Sequence, residues 1–150
     1  SAPPAKNLEN LWQFSKVYSC HVDEGGDPLF EWFKWRSEGW LVVKAHRYPL
    51  GKGATPLYIF CRVKRLSYVE ARKRVYAPNY AINVAKTDSY KKLKELYESN
   101  ELLILRDYDA YDHEKLGMTL KDVINNPRKK MGHAFVLVMM LTGVLGECLE

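Results

Sequence analysis

Apolar and polar positions alternate along the chain with two different periods, and the periods divide it into expected elements. Residues 29–37 carry Leu29, Phe30, Phe33, Trp32 and Trp35 in a helical rhythm opened by Asp27-Pro28, an N-cap side chain followed by proline at the first helical position. This helix is expected to turn Leu29, Phe30, Phe33 and Trp40 inward, to present Trp32, Trp35 and Arg36 on a second aromatic face, and to end with Gly39 in the left-handed conformation. Residues 41–45 and 57–63 read as strands, and residues 102–105 (Leu-Leu-Ile-Leu) as a short buried strand. Ser67 with Glu70 forms a capping box for a helix through about Tyr76, which Pro78 interrupts before a further helical segment over 79–86. Thr87 caps a helix to about Ser99, with Tyr90, Leu93, Leu96 and Tyr97 along one side. Thr119 and Asp122 open a short helix over 120–125 that Asn126-Pro127 halts. The last helix, about 128–141, is apolar on every side and is expected to be buried. Residues 7–18 form a short helix or an extended arm.

These elements predict an α+β fold, a mainly α-helical single domain with a few short strands and a buried C-terminal helix. Residues 1–6 read as a disordered lead-in and residues 7–150 as one globular domain. The lead-in has no apolar core of the kind a signal peptide needs, and the longest apolar run, residues 134–141, is far short of the roughly 20 residues of a membrane span.

Composition changes this picture in two respects. Thirteen per cent of the residues are aromatic, with ten tyrosines and four tryptophans, which calls for a large aromatic core or an aromatic-lined site. The formal net charge of +5 permits a polyanionic or phosphorylated partner. Cys20, Cys61 and Cys148 make no metal or disulfide pattern, in keeping with reduced thiols and a cytoplasmic setting.

Two stretches could carry chemistry. Residues 106–114 pack Asp107, Asp109, Asp112 and Glu114 with His113 and two tyrosines just past the apolar run. Like charges at this density are held where water, a cation or a substrate offsets their repulsion. The stretch is either a solvated acidic loop or a site in which one or two carboxylates act on a substrate. Its spacing lacks the glycine and distal glutamate of a calcium loop, so no metal is expected. The second stretch, residues 46–56, holds Arg47, Lys52, Gly51 and Gly53. Glycines let backbone N–H groups approach an anion and the cations supply charge, so the loop is either a phosphate cradle or a basic turn between strands. Arg62, Lys64, Arg65, Arg72, Lys73 and Arg74 read either as a solvated helix surface or, with Tyr68, Tyr76 and Tyr80 interleaved, as a surface on which single-stranded nucleic acid stacks. His133, after Gly132 on the last helix, is either a core histidine or a site residue near the acidic loop. Gly132 could admit a ligand or another element at close range.

The order of these features resembles the NADAR superfamily. Ala71-Arg72-Lys73-Arg74-Val75-Tyr76 is similar to that family's Ala-x-x-Lys-Phe helix, Val84-Ala85-Lys86-Thr87 to its Leu-x-x-Thr segment, and Leu105-Arg106-Asp107-Tyr108-Asp109 to its acidic stretch. Met131-Gly132-His133-Ala134-Phe135-Val136-Leu137 is similar to its closing apolar helix, and Trp12-Gln13-Phe14-Ser15-Lys16 sits where the family has its opening segment. The Trp-Gly that follows the family's acidic residue is replaced by Tyr111-Asp112, and its Leu-Gly by Met131-Gly132. The resemblance implies a small N-glycosidase or hydrolase acting on ADP-ribose or a ribosyl-base bond. Asp107 or Asp109 would be the carboxylate and His133 would orient the substrate or shuttle a proton. Arg47, Lys52, Gly51 and Gly53 would hold phosphate, and Trp12, Trp32, Trp35 or Tyr48 would stack on the base. The expected partner is a nucleotide-like small molecule or a modified nucleic acid, without cofactor, metal or membrane. Two alternatives stay open: a nucleic-acid or nucleotide binding module without catalysis, and an interaction protein of phage or host type that blocks its partner with an aromatic face.

Overall fold

A computed structural model describes residues 4–150. The chain is a mainly helical α+β protein with one small antiparallel sheet. Its contacts gather into two compact units, one ending at Ala71 and one running from Arg72 to Glu150. Residues 1–3 of the expected lead-in lie outside the described residues; Lys6 donates its backbone N–H to the Trp40 carbonyl at 2.8 Å.

In the first unit the arm is both a helix and a strand. Helix α1 (Leu8–Gln13) is capped by Asn7, whose side chain accepts from the Asn10 N–H, and β1 (Lys16–Val17) follows. Strand β2 (Tyr58–Cys61) lies between β1 and β3 (Lys64–Leu66), with Lys16 opposite Ile59 and Cys61 opposite Lys64. The expected strand over 57–63 is therefore a hairpin, turned at Arg62 in the left-handed region (φ 55°).

The strand expected over 41–45 does not form. Its carbonyls are taken by two asparagine side chains: Asn7 donates to Val43 O at 2.9 Å, and Asn10 donates to Val42 O at 2.9 Å and Lys44 O at 3.0 Å. Asn10, fully buried, also accepts the His46 N–H at 2.8 Å. Apolar residues without a neighbouring strand do not make a sheet, and here the side-chain amides take over the role of a ladder. Replacing Asn10 with alanine should cost about 2–3 kcal/mol, because three backbone groups lose their partner at once. Chemical denaturation of N10A checks this; a loss below about 0.5 kcal/mol would contradict it.

Helix α2 (Phe30–Leu41) starts later and buries the other face than its pattern predicts. Leu29 is its N-cap residue and, having no polar side-chain atom, makes no cap, while the Asp27 carboxylate is engaged with Arg65. Trp32 is fully buried and donates its indole N–H to Lys16 O at 3.0 Å, whereas Phe30 is 78% exposed. A tryptophan whose one polar atom finds a carbonyl is the better core residue of the two. Gly39 does not terminate the helix. It lies inside it, where an added Cβ would sit 2.1 Å from a Phe14 ring carbon, so the absence of a side chain lets Phe14 in.

The capping box at Ser67 is present on the last helix of the first unit: Ser67 and Glu70 exchange backbone and side-chain bonds at 2.9 and 3.2 Å. Helix α3 (Tyr68–Ala71) ends the first unit. A π-helical turn (Arg72–Tyr76) begins the second and passes into α4 (Ala77–Val84), with Pro78 in its first turn, where no N–H is needed. Thr87 caps α5 (Asp88–Glu98), and Thr119 with Asp122 forms the expected capping box on α6 (Leu120–Asn125). The buried helix is α7 (His133–Leu141), shorter than expected because residues 128–132 are not helical, and α8 (Leu145–Leu149) follows it. Ala77 and Ala81 of α4 let α7 approach closely. Val123, Ile124, Phe135, Val136, Met139 and Cys148 complete that core. Residues 102–105 form no strand, and Leu102 and Ile104 are 90% and 75% exposed. Arg72 is not a surface residue: it is 1% exposed, with its guanidinium on the carbonyls at the end of α6.

Among the described residues no helix is long and apolar enough to cross a membrane.

Candidate functional site

The acidic loop is fastened to α7 at two places. Tyr111 packs on Phe135 (ring centroids 4.9 Å apart), and His113 meets the same ring edge-on at 5.6 Å. Lys129 lies 4.4 Å above the Tyr111 ring. Burial raises the Tyr111 phenol above its ordinary pKa, partly offset by the Arg72 charge, so it stays protonated. The second fastening is Asp107. Its Oδ2 accepts the Ala134 N–H at 3.2 Å and lies 3.6 Å from Nδ1 of His133.

Helix α7 begins at Gly132, whose own residue offers no capping oxygen, and Asp107 supplies one from 25 residues upstream in the chain. The arrangement also explains the glycine. A Cβ on Gly132 would stand 2.0 Å from Asp107 Oδ2 and 2.7 Å from its Cγ. The element that Gly132 admits at close range is thus the carboxylate itself.

The pair is asymmetric. The Asp107 side chain is 9% exposed and that of His133 is 53% exposed. Asp107 is held by the helix and the imidazole, and His133 is the member of the pair open to solvent. With Nδ1 toward the carboxylate, ring geometry puts Nε2 on the far side. Tyr80 covers the imidazole, with ring centroids 5.3 Å apart and planes inclined by 38°, and stacks in turn on Tyr76. Burial, and secondarily the negative charge of Asp107, pushes the Tyr80 phenol above its ordinary pKa and keeps it a hydrogen-bond donor. Asp109, two residues beyond Asp107, is half-buried. Asp112 accepts the Lys115 N–H at 3.2 Å and so caps the short 3-10 turn that follows. Among the described residues no three His, Cys, Asp or Glu side chains gather as a metal-binding group. The hollow lined by Tyr97, Glu98, Asn100, Glu101 and Leu102 contains none of these residues.

The basic loop belongs to the first unit. Gly51 and Gly53 both take positive φ (99° and 94°) with open space where a Cβ would be, and the loop is closed by turns from Gly51 N to Tyr48 O and from Ala54 N to Gly51 O. Arg47 lies over the Tyr48 ring at 5.5 Å. Arg47, Lys52 and Tyr48 are exposed. Of the tryptophans expected to stack on a base, Trp32 is a core residue and Trp12 is buried against Tyr68. Trp35 is half-buried between Phe14 and His21. Tyr48 is the one of the four with an exposed ring.

Tyr80 escaped the sequence reading as a site residue because an interleaved aromatic near basic residues reads as a stacking surface. Its spacing one turn from Tyr76 is the signal that places both on one helix face.

No protein-family model matches the chain, and neither the curated proteins nor the solved structures contain one significantly similar to it.

Proposed function

We propose that the protein hydrolyses the N-glycosidic bond of a nucleotide-like, phosphate-bearing substrate of the ADP-ribose or ribosyl-base class. One observation carries the reading: a nearly buried carboxylate, Asp107, stands against one nitrogen of a half-exposed imidazole, His133. A histidine oriented in this way is built to take a proton. In the reaction, a water gives a proton to Nε2 of His133 as its oxygen bonds to the anomeric carbon. The carbon–nitrogen bond breaks and its electron pair leaves with the base, which takes up a proton. Asp109 is assigned to the positive charge that develops on the sugar. Asp107 is then a positioning residue rather than the carboxylate that meets the sugar, since its oxygen is committed to Ala134 N–H and His133. The resemblance of residues 68–141 to the NADAR order of features supports the same chemistry. Asp109→Asn should lower turnover of an ADP-ribosylated or ribosyl-base substrate at least about 10-fold while leaving the unfolding midpoint unchanged. Full activity in D109N removes Asp109 from this role.

The exposed glycine loop favours a second reading, anion binding without catalysis, and the two are separable. Arg47→Ala and Lys52→Ala should each weaken ADP-ribose binding by about 3- to 10-fold, with wild-type affinity falling as salt is raised. Equal affinity for ribose and ADP-ribose, measured by calorimetry, would exclude the loop as a phosphate cradle.

A further inference from the structure

Residues 88–106 form an amphipathic arm of the second unit whose apolar side chains are left half-buried or exposed. Helix α5 has no buried residue, although Tyr90, Leu93 and Tyr97 make an apolar stripe along it with Leu96 beside them. Leu96 and Tyr97 are 42% and 40% exposed. The stretch after it alternates as a strand does: Leu102, Ile104 and Arg106 are exposed, while Leu103, Leu105 and Asp107 are half-buried. Yet among the described residues no backbone hydrogen bond is made by any N–H or C=O from Glu101 to Arg106. An apolar segment of alternating exposure with an unpaired backbone is a template for one more strand.

We infer that a second copy of this chain covers the arm, through antiparallel pairing of residues 101–106 with α5 packed alongside. Three features select a second copy. A two-fold axis perpendicular to the new sheet keeps outward residues on one side, so Leu102 and Ile104 of one copy meet their equivalents, and Leu103 and Leu105 meet theirs. Charge along the arm is arranged for that direction. Lys91, Lys92 and Lys94 occupy its first half, and Glu95, Glu98 and Glu101 its second, so antiparallel copies set the basic half of each against the acidic half of the other. Asp88 and Arg106 balance one another, which leaves the arm neutral in a chain of net charge +5, so that two arms do not repel as two whole chains would.

Sedimentation equilibrium of the full chain over roughly 1–200 μM tests this, on the scale where modest interfaces assemble. The weight-average mass should rise from 17.4 kDa toward twice that value. Ile104→Lys, at a position 75% exposed and so not needed for folding, should hold the protein at the monomer mass with an unchanged far-ultraviolet dichroism spectrum. Amide exchange at residues 101–106 should slow as concentration rises. A wild-type mass fixed at 17.4 kDa across the range overturns the proposal, and so does an I104K variant that dimerises as the wild type does.

Discussion

Replacing Arg72 with methionine should cost about 3–5 kcal/mol of stability, a large fraction of what a chain of this size possesses. The side chain is 1% exposed, and its Nη1 donates to Asn126 O at 2.7 Å, to Ile124 O at 3.3 Å and to Val123 O at 3.4 Å, while Nη2 donates to Lys129 O. These carbonyls lie at and just beyond the C-terminal end of α6, where the helix dipole also favours a cation; Val123 O accepts the Asn126 N–H as well. Methionine fills the volume and removes every donor, so buried acceptors are left facing apolar atoms. Arg72→Lys should recover only part of the loss, because a single ammonium cannot span carbonyls on both Asn126 and Lys129 as the planar guanidinium does. The denaturation midpoint should fall in both variants, further in R72M, with the slope unchanged. A loss in R72M below about 1 kcal/mol would show that water replaces the guanidinium and that the end of α6 does not depend on it.

Substituting alanine for Gly132 should be almost as damaging, for a different reason. The new Cβ would stand 2.0 Å from a carboxylate oxygen, so either Asp107 or the start of α7 has to move. If Asp107 moves, the Ala134 N–H loses its acceptor and His133 loses its orienting partner together. A lost cap and an uncompensated clash are worth about 2–4 kcal/mol. The single-site mechanism is checked by coupling. In an Asp107→Ala background the obstacle is gone, so G132A should then cost less than about 1 kcal/mol, the difference being the interaction energy. Additive losses would place the damage elsewhere, in the backbone at Gly132 itself.

Much of the fold was legible because its signals are local. The boxes at Ser67–Glu70 and Thr119–Asp122 and the cap at Thr87 depend on residues three apart, and all are formed. The buried α7 follows from an unbroken apolar run. Where a partner distant in sequence decides the outcome, pattern alone misled. Residues 41–45 and 102–105 have the composition of strands, but one is held by Asn7 and Asn10 and the other has no ladder at all. The inward face of α2 was reversed because periodicity cannot tell that Trp32 finds a carbonyl at Lys16. Arg72 looked solvated because its partners are backbone carbonyls, which no residue type announces. Asp107 and His133 were both selectable as residues, and Gly132 was readable as a point of close approach. That the carboxylate is the buried member and the imidazole the exposed one depends on 3.6 Å between residues 26 positions apart.

The most direct measurement for the proposed chemistry is turnover of an ADP-ribosylated or ribosyl-base substrate by wild type and by His133→Gln. His133 is the half-exposed member of the pair, so the variant should keep its unfolding midpoint. Wild-type protein should release the free base or acceptor, and H133Q should do so about 10²- to 10⁴-fold more slowly, the loss expected when a general base is removed. Wild-type rates in H133Q, or no release by folded wild-type protein from either substrate class, would contradict the assignment.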